Sequence, residues 1–387
     1  MRHYSQNARW LLWFAPFRAL SISAAYLTPF FVLHGMSTAE IFLLQSIFSA
    51  AYLLWEIPSG MIADRLGRAT SIKISAPIAA IGMLAYGFSH DFWQFVICEL
   101  ILALANGLIS GVDTALLVDS LKADGREKEF VRTQQRMDGL GFASTAAAVP
   151  LAVVLVHFFG VSSTLVADGI VTGLGAYFVM KLVEAPRSNG GQDQLRRSAW
   201  HALRELARRP NVRWLVTLKT TLNTATYIGF WLSALYYTQL GIPVVVFGVI
   251  LAIRSLWKAW LSHRFHRESH VSRNTTVYAG MIGIVYLAMA TGQLWLVWVV
   301  LGHDVVQALG SSPLTRRLNA HIEEDHRATL NSVANLVQRM GYMIAGPLVG
   351  FTVDKTNLAT GMILTGVTCS VIALAATARL RHIGAFR

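Results

Sequence analysis

Glu56-Ile57-Pro58-Ser59-Gly60-Met61-Ile62-Ala63-Asp64-Arg65-Leu66-Gly67-Arg68 is the stretch from which the fold is read. An apolar run ends abruptly here in three charges, Asp64, Arg65 and Arg68, with Gly67 among them, and a second apolar run begins a few residues later. Apolar runs of this length read as membrane helices, so the charged stretch is a tight loop at a membrane surface. Gly67 permits a sharp turn with positive φ, and Gly60 is expected to let a neighbouring helix approach closely. Asp64, just past an apolar helix, needs a cation or a helix N-terminus as partner.

The same alternation runs the length of the chain. Of 387 residues, 54% are hydrophobic and 14% charged, and the mean hydropathy is +0.48. That leaves too little polar sequence to clothe a soluble protein of this size. Twelve spans are expected, at 9–33, 38–63, 74–89, 92–119, 137–159, 162–182, 213–240, 243–262, 274–290, 293–315, 328–352 and 357–378. The first is too long for the apolar core of a cleavable signal peptide. Cys98 and Cys369 lie inside apolar runs and read as small buried residues.

The loops alternate in charge. Those on one side, such as His34–Ala39, Ser89–Asp91 and Thr291–Gly292, are very short and carry Lys355 as their one basic residue. Those on the other side hold Arg65, Arg68, Lys73, Lys122, Arg126, Arg132, Arg187, Arg208, Arg264, Arg316 and others. Basic residues concentrate on cytoplasmic loops, so both termini are expected in the cytoplasm. The formal charge of +12 is then a lipid-headgroup effect, and no nucleic-acid partner is expected.

The longest loop divides the spans six and six. The expected organisation is a bundle over residues 1–183, a cytoplasmic linker over 184–212 and a second bundle over 213–387. Within the linker, Leu195, Ala199, Leu203 and Leu206 form one apolar stripe among arginines, an amphipathic helix lying on the membrane surface. Six plus six is the arrangement of transporters built from two parallel repeats.

Gly60-x-x-x-Asp64-Arg65-x-Gly67-Arg68 also resembles the loop signature of the major facilitator superfamily, at its usual place between spans 2 and 3. Gly111-Val112-Asp113-Thr114-Ala115-Leu116-Leu117-Val118-Asp119-Ser120-Leu121, ending span 4, looks like the segment that faces it. The resemblance implies an all-α integral membrane protein of two six-helix bundles and a charge relay that latches one of its states. Arg65 or Arg68 would pair with Asp113 or Asp119. The match departs at Ala69, where a basic residue is usual, and the equivalent loop at Ser262–Arg267 has no matching Asp. Ala103 stands where a proton-linked arginine is common, and Gly341-x4-Gly346-Pro347-x2-Gly350 resembles an antiporter pattern but lies in span 11.

A charge in mid-bilayer costs about 2.5 kcal/mol or more and so pairs or faces water. The family resemblance implies that spans 1, 4, 7 and 10 line a cavity, and these carry Arg18, Glu99 with Asp113, Lys219, and Asp304. At 100° per residue, Glu99, Asn106, Ser110 and Asp113 share a stripe, as do Lys219, Asn223, Thr226, Phe230, Ser233 and Tyr237, and again Asp304, Gln307 and Ser311. Arg254 and Arg339 join them as candidate cavity residues from spans 8 and 11, and Asp168 of span 6 is the exception to the pattern. Arg18 is expected to neutralise Glu99 or Asp138 or to bind a substrate anion. Asp138 is expected to pair with Arg132 or Arg136. Glu99 and Asp304 are the candidate proton carriers.

These readings point to proton-coupled export of a small organic molecule by a monomer in a bacterial inner membrane. Uptake or uniport of a polar metabolite, and a sensor that binds without translocating, are the alternatives. No cofactor and no metal are expected, the driving force being the proton gradient. His263, His266, Glu268 and His270 read as a basic headgroup-facing loop. With no phosphate-binding loop and no nucleophile–base motif, ATP-driven transport and enzymatic activity on lipid are disfavoured.

Overall fold

The computed structural model describes residues 3–186, 208–265, 269–320 and 324–384. Among these the chain is helical with no strand, and the helices fall into twelve successive rods that match the expected spans. The amphipathic stripe of the linker and part of the histidine-rich loop lie outside the described residues. Seven helices are long and apolar enough by themselves to cross a membrane. Others fall short because they are broken or carry polar faces, as span 7 does over Pro210–Gln239 with Lys219, Asn223 and a run of threonines. Cys98 and Cys369 are both free thiols.

The chain divides into two compact units. One holds Met1–Met36, Ile47–Asn189 and Val244–Val249, the other Ser37–Ser46, Gly190–Pro243 and Ile250–Arg387. Each unit thus takes in a short piece of a helix that otherwise belongs to its counterpart. In the second unit, the first amides of span 2, Thr38 and Ala39, donate to the Asp354 carboxylate at 3.0 and 2.8 Å. In the first unit, the Tyr26 hydroxyl donates to the Val245 carbonyl at 3.2 Å.

Internal repetition is visible in the packing. Span 3 lies along span 6 in the first unit, and span 9 along span 12 in the second. Both pairs touch through glycine. A Cβ on Gly169 would meet the Leu84 amide at 2.8 Å, and one on Gly283 would meet the Ser370 hydroxyl at 2.8 Å. The glycine pattern of span 11 is likewise a packing seam. Gly346 sits against Phe42, and a Cβ on Gly350 would fall 2.8 Å from the backbone of Thr38 and Ala39. Gly60 differs from its expectation: nothing stands within 4 Å of its would-be Cβ. The close approach between spans 2 and 4 is made by Gly107 instead, whose Cβ would lie 3.2 Å from that of Trp55.

Two spans are not continuous helices. Span 1 is helical over Asn7–Ala19 and again over Leu27–Leu33, with the intervening backbone unwound. Span 4 breaks between Ile109 and Val112, where Gly111 takes φ +72°. A third, span 10, changes pitch: tight 3-10 turns over Leu294–Val300, α-helix, then a π-helical stretch over Val306–Ser311. Irregular backbone at membrane depth is tolerated where protein surrounds it or water reaches it, and π-helical turns gather at functional positions.

Candidate substrate and coupling sites

In the first unit, the break in span 1 is held by Asp168. Its carboxylate accepts from the Ile22 amide at 2.7 Å, the Ser23 amide at 3.0 Å and the Ser23 hydroxyl at 2.5 Å. All three residues are buried. Asp168 therefore satisfies backbone donors that the missing helical turn leaves unpaired. That accounts for the charge in span 6 that fitted no cavity stripe.

Below the break lies a cavity of about 380 Å³, lined by Leu11, Phe14, Ala15, Arg18 and Ala19 of span 1, Asp113 of span 4, and Gln134, Met137, Asp138, Gly141, Phe142 and Thr145 of span 5. Its volume is that of a small-ligand pocket. Arg18 forms an ion pair with Asp113, and neither Glu99 nor Asp138 is its partner. The break at Gly111 turns Asp113 onto a new helix, so the stripe expected from Glu99 to Asp113 is interrupted. Asp138 has no cation within ion-pair distance among the described residues; it accepts a hydrogen bond from the Gln134 amide at 3.0 Å. Arg136 and Arg132 stand two and six positions away on the same helix, at angles that point them elsewhere. The Gln134 carbonyl oxygen is buried without a hydrogen-bond partner. Glu99 is buried and accepts from the Tyr86 hydroxyl at 2.9 Å. Asn106 is exposed and turns back onto the Leu102 carbonyl.

The loop that opens the sequence reading is fastened at several points. Arg68 pairs with Asp119 and donates to the Ala115 carbonyl at 3.2 Å, so Asp119, and not Asp113, is its acid. No ion pair is formed by Arg65 among the described residues, and Asp64 lies exposed at the helix end. Gly67 has φ +105°, which an L side chain rarely adopts. The amides of Arg68 and Ala69 donate to the two oxygens of Glu184 at 2.8 and 2.9 Å. At Ala69 the backbone thus supplies the contact to an acid. Glu184 follows span 6, and beside it Asn7 clasps Val183 through both backbone groups, at 2.6 and 2.9 Å, while reaching Ser120 at 2.9 Å. Neither Asn7 nor Glu184 was singled out from the sequence. Asn7 lies in a polar N-terminal stretch and Glu184 in a linker, where a solvated residue is the ordinary reading.

In the second unit, span 10 is cross-linked to spans 7 and 8 by polar contacts. Arg254 grips Asp304 through Nε at 2.9 Å and Nη2 at 3.3 Å, both side chains being 8% exposed. Its Nη1 reaches the Ser233 hydroxyl at 3.5 Å, and Tyr237 packs beside the guanidinium. One turn on, Lys258 donates to Gln307 at 3.3 Å. Ser311 donates to Asn223, whose amide donates to Gln338 at 2.7 Å. The expected single face of Asp304, Gln307 and Ser311 is split: the π-helical stretch aims the first two at span 8 and the last at span 7. Arg339 is half-buried on span 11. His303, unmarked in the sequence reading, is fully enclosed, with both ring nitrogens lacking hydrogen-bond partners among the described residues and its ring 4.9 Å from that of Tyr286.

Comparison with known proteins bears on all of this. The family model described as Major Facilitator Superfamily matches residues 14–346. An uncharacterized transporter of Buchnera aphidicola is 28% identical over 130 residues, 33% of this chain and 32% of that protein. The probable L-galactonate transporter of Escherichia coli is 23% identical over 149 residues, 38% of this chain and 32% of that protein. The matched stretch is thus about a third of each relative's length. Solved structures agree over nearly the whole chain. The nucleoside transporter NupG superimposes with a TM-score of 0.76 at 14% identity, covering 98% of this chain and all of that one. A bacterial homolog of the human lysosomal transporter Spinster, inward-facing and unoccupied, gives 0.75 at 16% identity, covering 98% and 96%. At these identities the structural likeness speaks for the fold.

Proposed function

Since the chain belongs to the Major Facilitator Superfamily, and is thereby a multi-pass membrane transporter, we propose that it moves a small polar organic molecule across a bacterial inner membrane by alternating access. The observation that carries this reading is the set of irregularities in spans 1, 4 and 10: a break in each of the first two and a π-helical stretch in the third. Those in spans 1 and 10 carry buried charge, at Asp168 and at the Arg254–Asp304 pair. Discontinuous helices are where transporters of this general construction place their substrates and coupling ions. Both termini and the arginine-rich loops lie in the cytoplasm in this reading, and the Arg68–Asp119 pair, with Asp64, forms the cytoplasmic latch.

The polarity of the interior favours a polar metabolite over an apolar drug. Two relatives carry names of that kind, one for L-galactonate and one for nucleosides. Proton-coupled export is the competing reading. Of the two candidate proton carriers, Asp304 has both carboxylate oxygens engaged by Arg254. Glu99 accepts from a neutral phenol, the Tyr86 hydroxyl, and is the candidate carried into the test.

Comparing cells that express the wild-type protein with cells expressing Asp64→Asn at equal abundance tests the reading. Mass spectrometry of cells and medium is expected to show one compound displaced in the variant. Accumulation inside means export, and retention in the medium means uptake. Wild-type flux of that compound by the variant would remove the latch from the proposal. Glu99→Gln is expected to flatten the pH dependence of that flux, and an unchanged dependence would place the proton elsewhere.

A further inference from the structure

The cations inside the second unit are not all matched. Arg254 is neutralised by Asp304 at 2.9 Å, and Lys258 rests on the Gln307 amide oxygen at 3.3 Å. Lys219 has neither kind of contact. It lies on span 7, nine residues in from Pro210, in a residue that is 8% exposed, and no carboxylate or hydrogen-bond acceptor among the described residues reaches its ammonium. One turn on, Asn223 has both ends of its amide committed, to Gln338 and to Ser311. Thr226 is bonded to the Asn223 carbonyl at 3.0 Å. These surroundings are polar and, among the described residues, supply no negative charge.

A buried ammonium without a counter-charge is among the costlier arrangements in a membrane protein, and where one persists it is functional by default. The other candidate anion-binding groups are already spent. Arg18 is paired with Asp113 and Arg254 with Asp304. The interior of the first unit is acidic besides, with Glu99, Asp113 and Asp168 against Arg18. Among the described residues, span 7 offers an anion a buried cation with no counter-charge. A lysine there offers a compact point charge with three donors, suited to a single anionic group rather than to a planar bidentate one.

We propose that Lys219 is the counter-ion for an anionic oxygen group, carboxylate or phosphate, of the transported solute. The chain would then be a carrier of small organic anions. This rests on the transport reading above and narrows its substrate class.

The test uses the purified full-length protein in uncharged detergent. Gluconate, benzoate and glycerol 3-phosphate are each compared with the neutral counterpart, glucitol, benzamide and glycerol. At least one acid is expected to raise the melting temperature while its neutral counterpart does not. Lys219→Met is expected to weaken that acid's binding about tenfold or more, as loss of a desolvated charge partner does, and Lys219→Arg to keep most of it. Without any ligand, Lys219→Met is expected to melt above wild type, because the unmatched charge is gone. Four results would overturn the proposal: no acid effect, equal effects of acid and neutral partner, undiminished binding in Lys219→Met, or a lower melting temperature in that variant. Phosphatidylglycerol reproducing the Lys219-dependent shift in place of the acids would assign the ammonium to a lipid headgroup and also overturn it. Flux in proteoliposomes separates the two readings. Acids that bind through Lys219 but never cross would remove transport and leave the anion site. A neutral solute crossing equally in wild type and Lys219→Met would do the reverse.

Discussion

Asp168 shows how much one side chain decides in this protein. It stands in an apolar helix, yet its oxygens accept from two amides and a hydroxyl of the unwound part of span 1. Hydrogen bonds to a charged acceptor contribute about 1.5–3 kcal/mol each when a partner is removed from a buried site. Asp168→Ala is therefore expected to lower stability by on the order of 3 kcal/mol or more, read as a fall in melting temperature in detergent. Asp168→Asn should fall between, since an amide oxygen still accepts from one donor. The charge itself was legible in the sequence as a residue out of pattern, but its role was not. The unwound stretch, Leu20 to Tyr26, contains neither glycine nor proline. Nothing local announces a break that a distant carboxylate stabilises. Gly67 is the contrary case: its positive φ was readable from the turn alone, because backbone sterics depend only on neighbours in the chain.

At the scale of helices, span 10 is the informative element. Read at 100° per residue, Asp304, Gln307 and Ser311 share a face. The π-helical stretch at Val306–Ser311 changes the angular step and divides them between spans 7 and 8. Periodicity arguments assume a uniform pitch, so they fail where the pitch changes. The break at Gly111 misled the span 4 stripe in the same way, although there the glycine was visible. The Arg254–Asp304 bond ties span 10 to span 8 in a dry setting, which sets up a sharp expectation. Removing one partner leaves a buried charge exposed to no solvent, at a cost of about 3–5 kcal/mol. Arg254→Met or Asp304→Leu alone is expected to destabilise by that order. The double variant is expected to recover much of the loss, because no unmatched charge remains. A thermal-unfolding double-mutant cycle measures the difference, and additive losses would show that the two residues do not act as a pair.

On the scale of the whole molecule, topology was the most legible property. Twelve helical rods among the described residues, and the alternation of basic loops, follow from the cost of placing backbone and charge in hydrocarbon, and that cost acts on every residue of the chain. Which residues meet was less legible. The acid of Arg68 proved to be Asp119, leaving Asp113 to Arg18. The choice depends on how span 4 bends after Gly111. If the Arg68–Asp119 pair works as a latch, Arg68→Asp and Asp119→Arg should each reduce transport at least tenfold with expression intact. Exchanging the two charges should restore a measurable part. Full transport by either single variant would make the pair merely structural.

Asn7 and Val183 lie 176 positions apart in the chain and are joined by a pair of hydrogen bonds. The first bundle therefore begins and ends at one point in space. A module with adjoining ends can be joined to a copy of itself by a short peptide without disturbing either, which is the geometric condition for growth by tandem gene duplication. The same closure orders its biogenesis. Asn7 can reach Ser120 once span 4 has been made, but its bonds to Val183 wait for the end of the sixth helix, and the bundle is sealed only then.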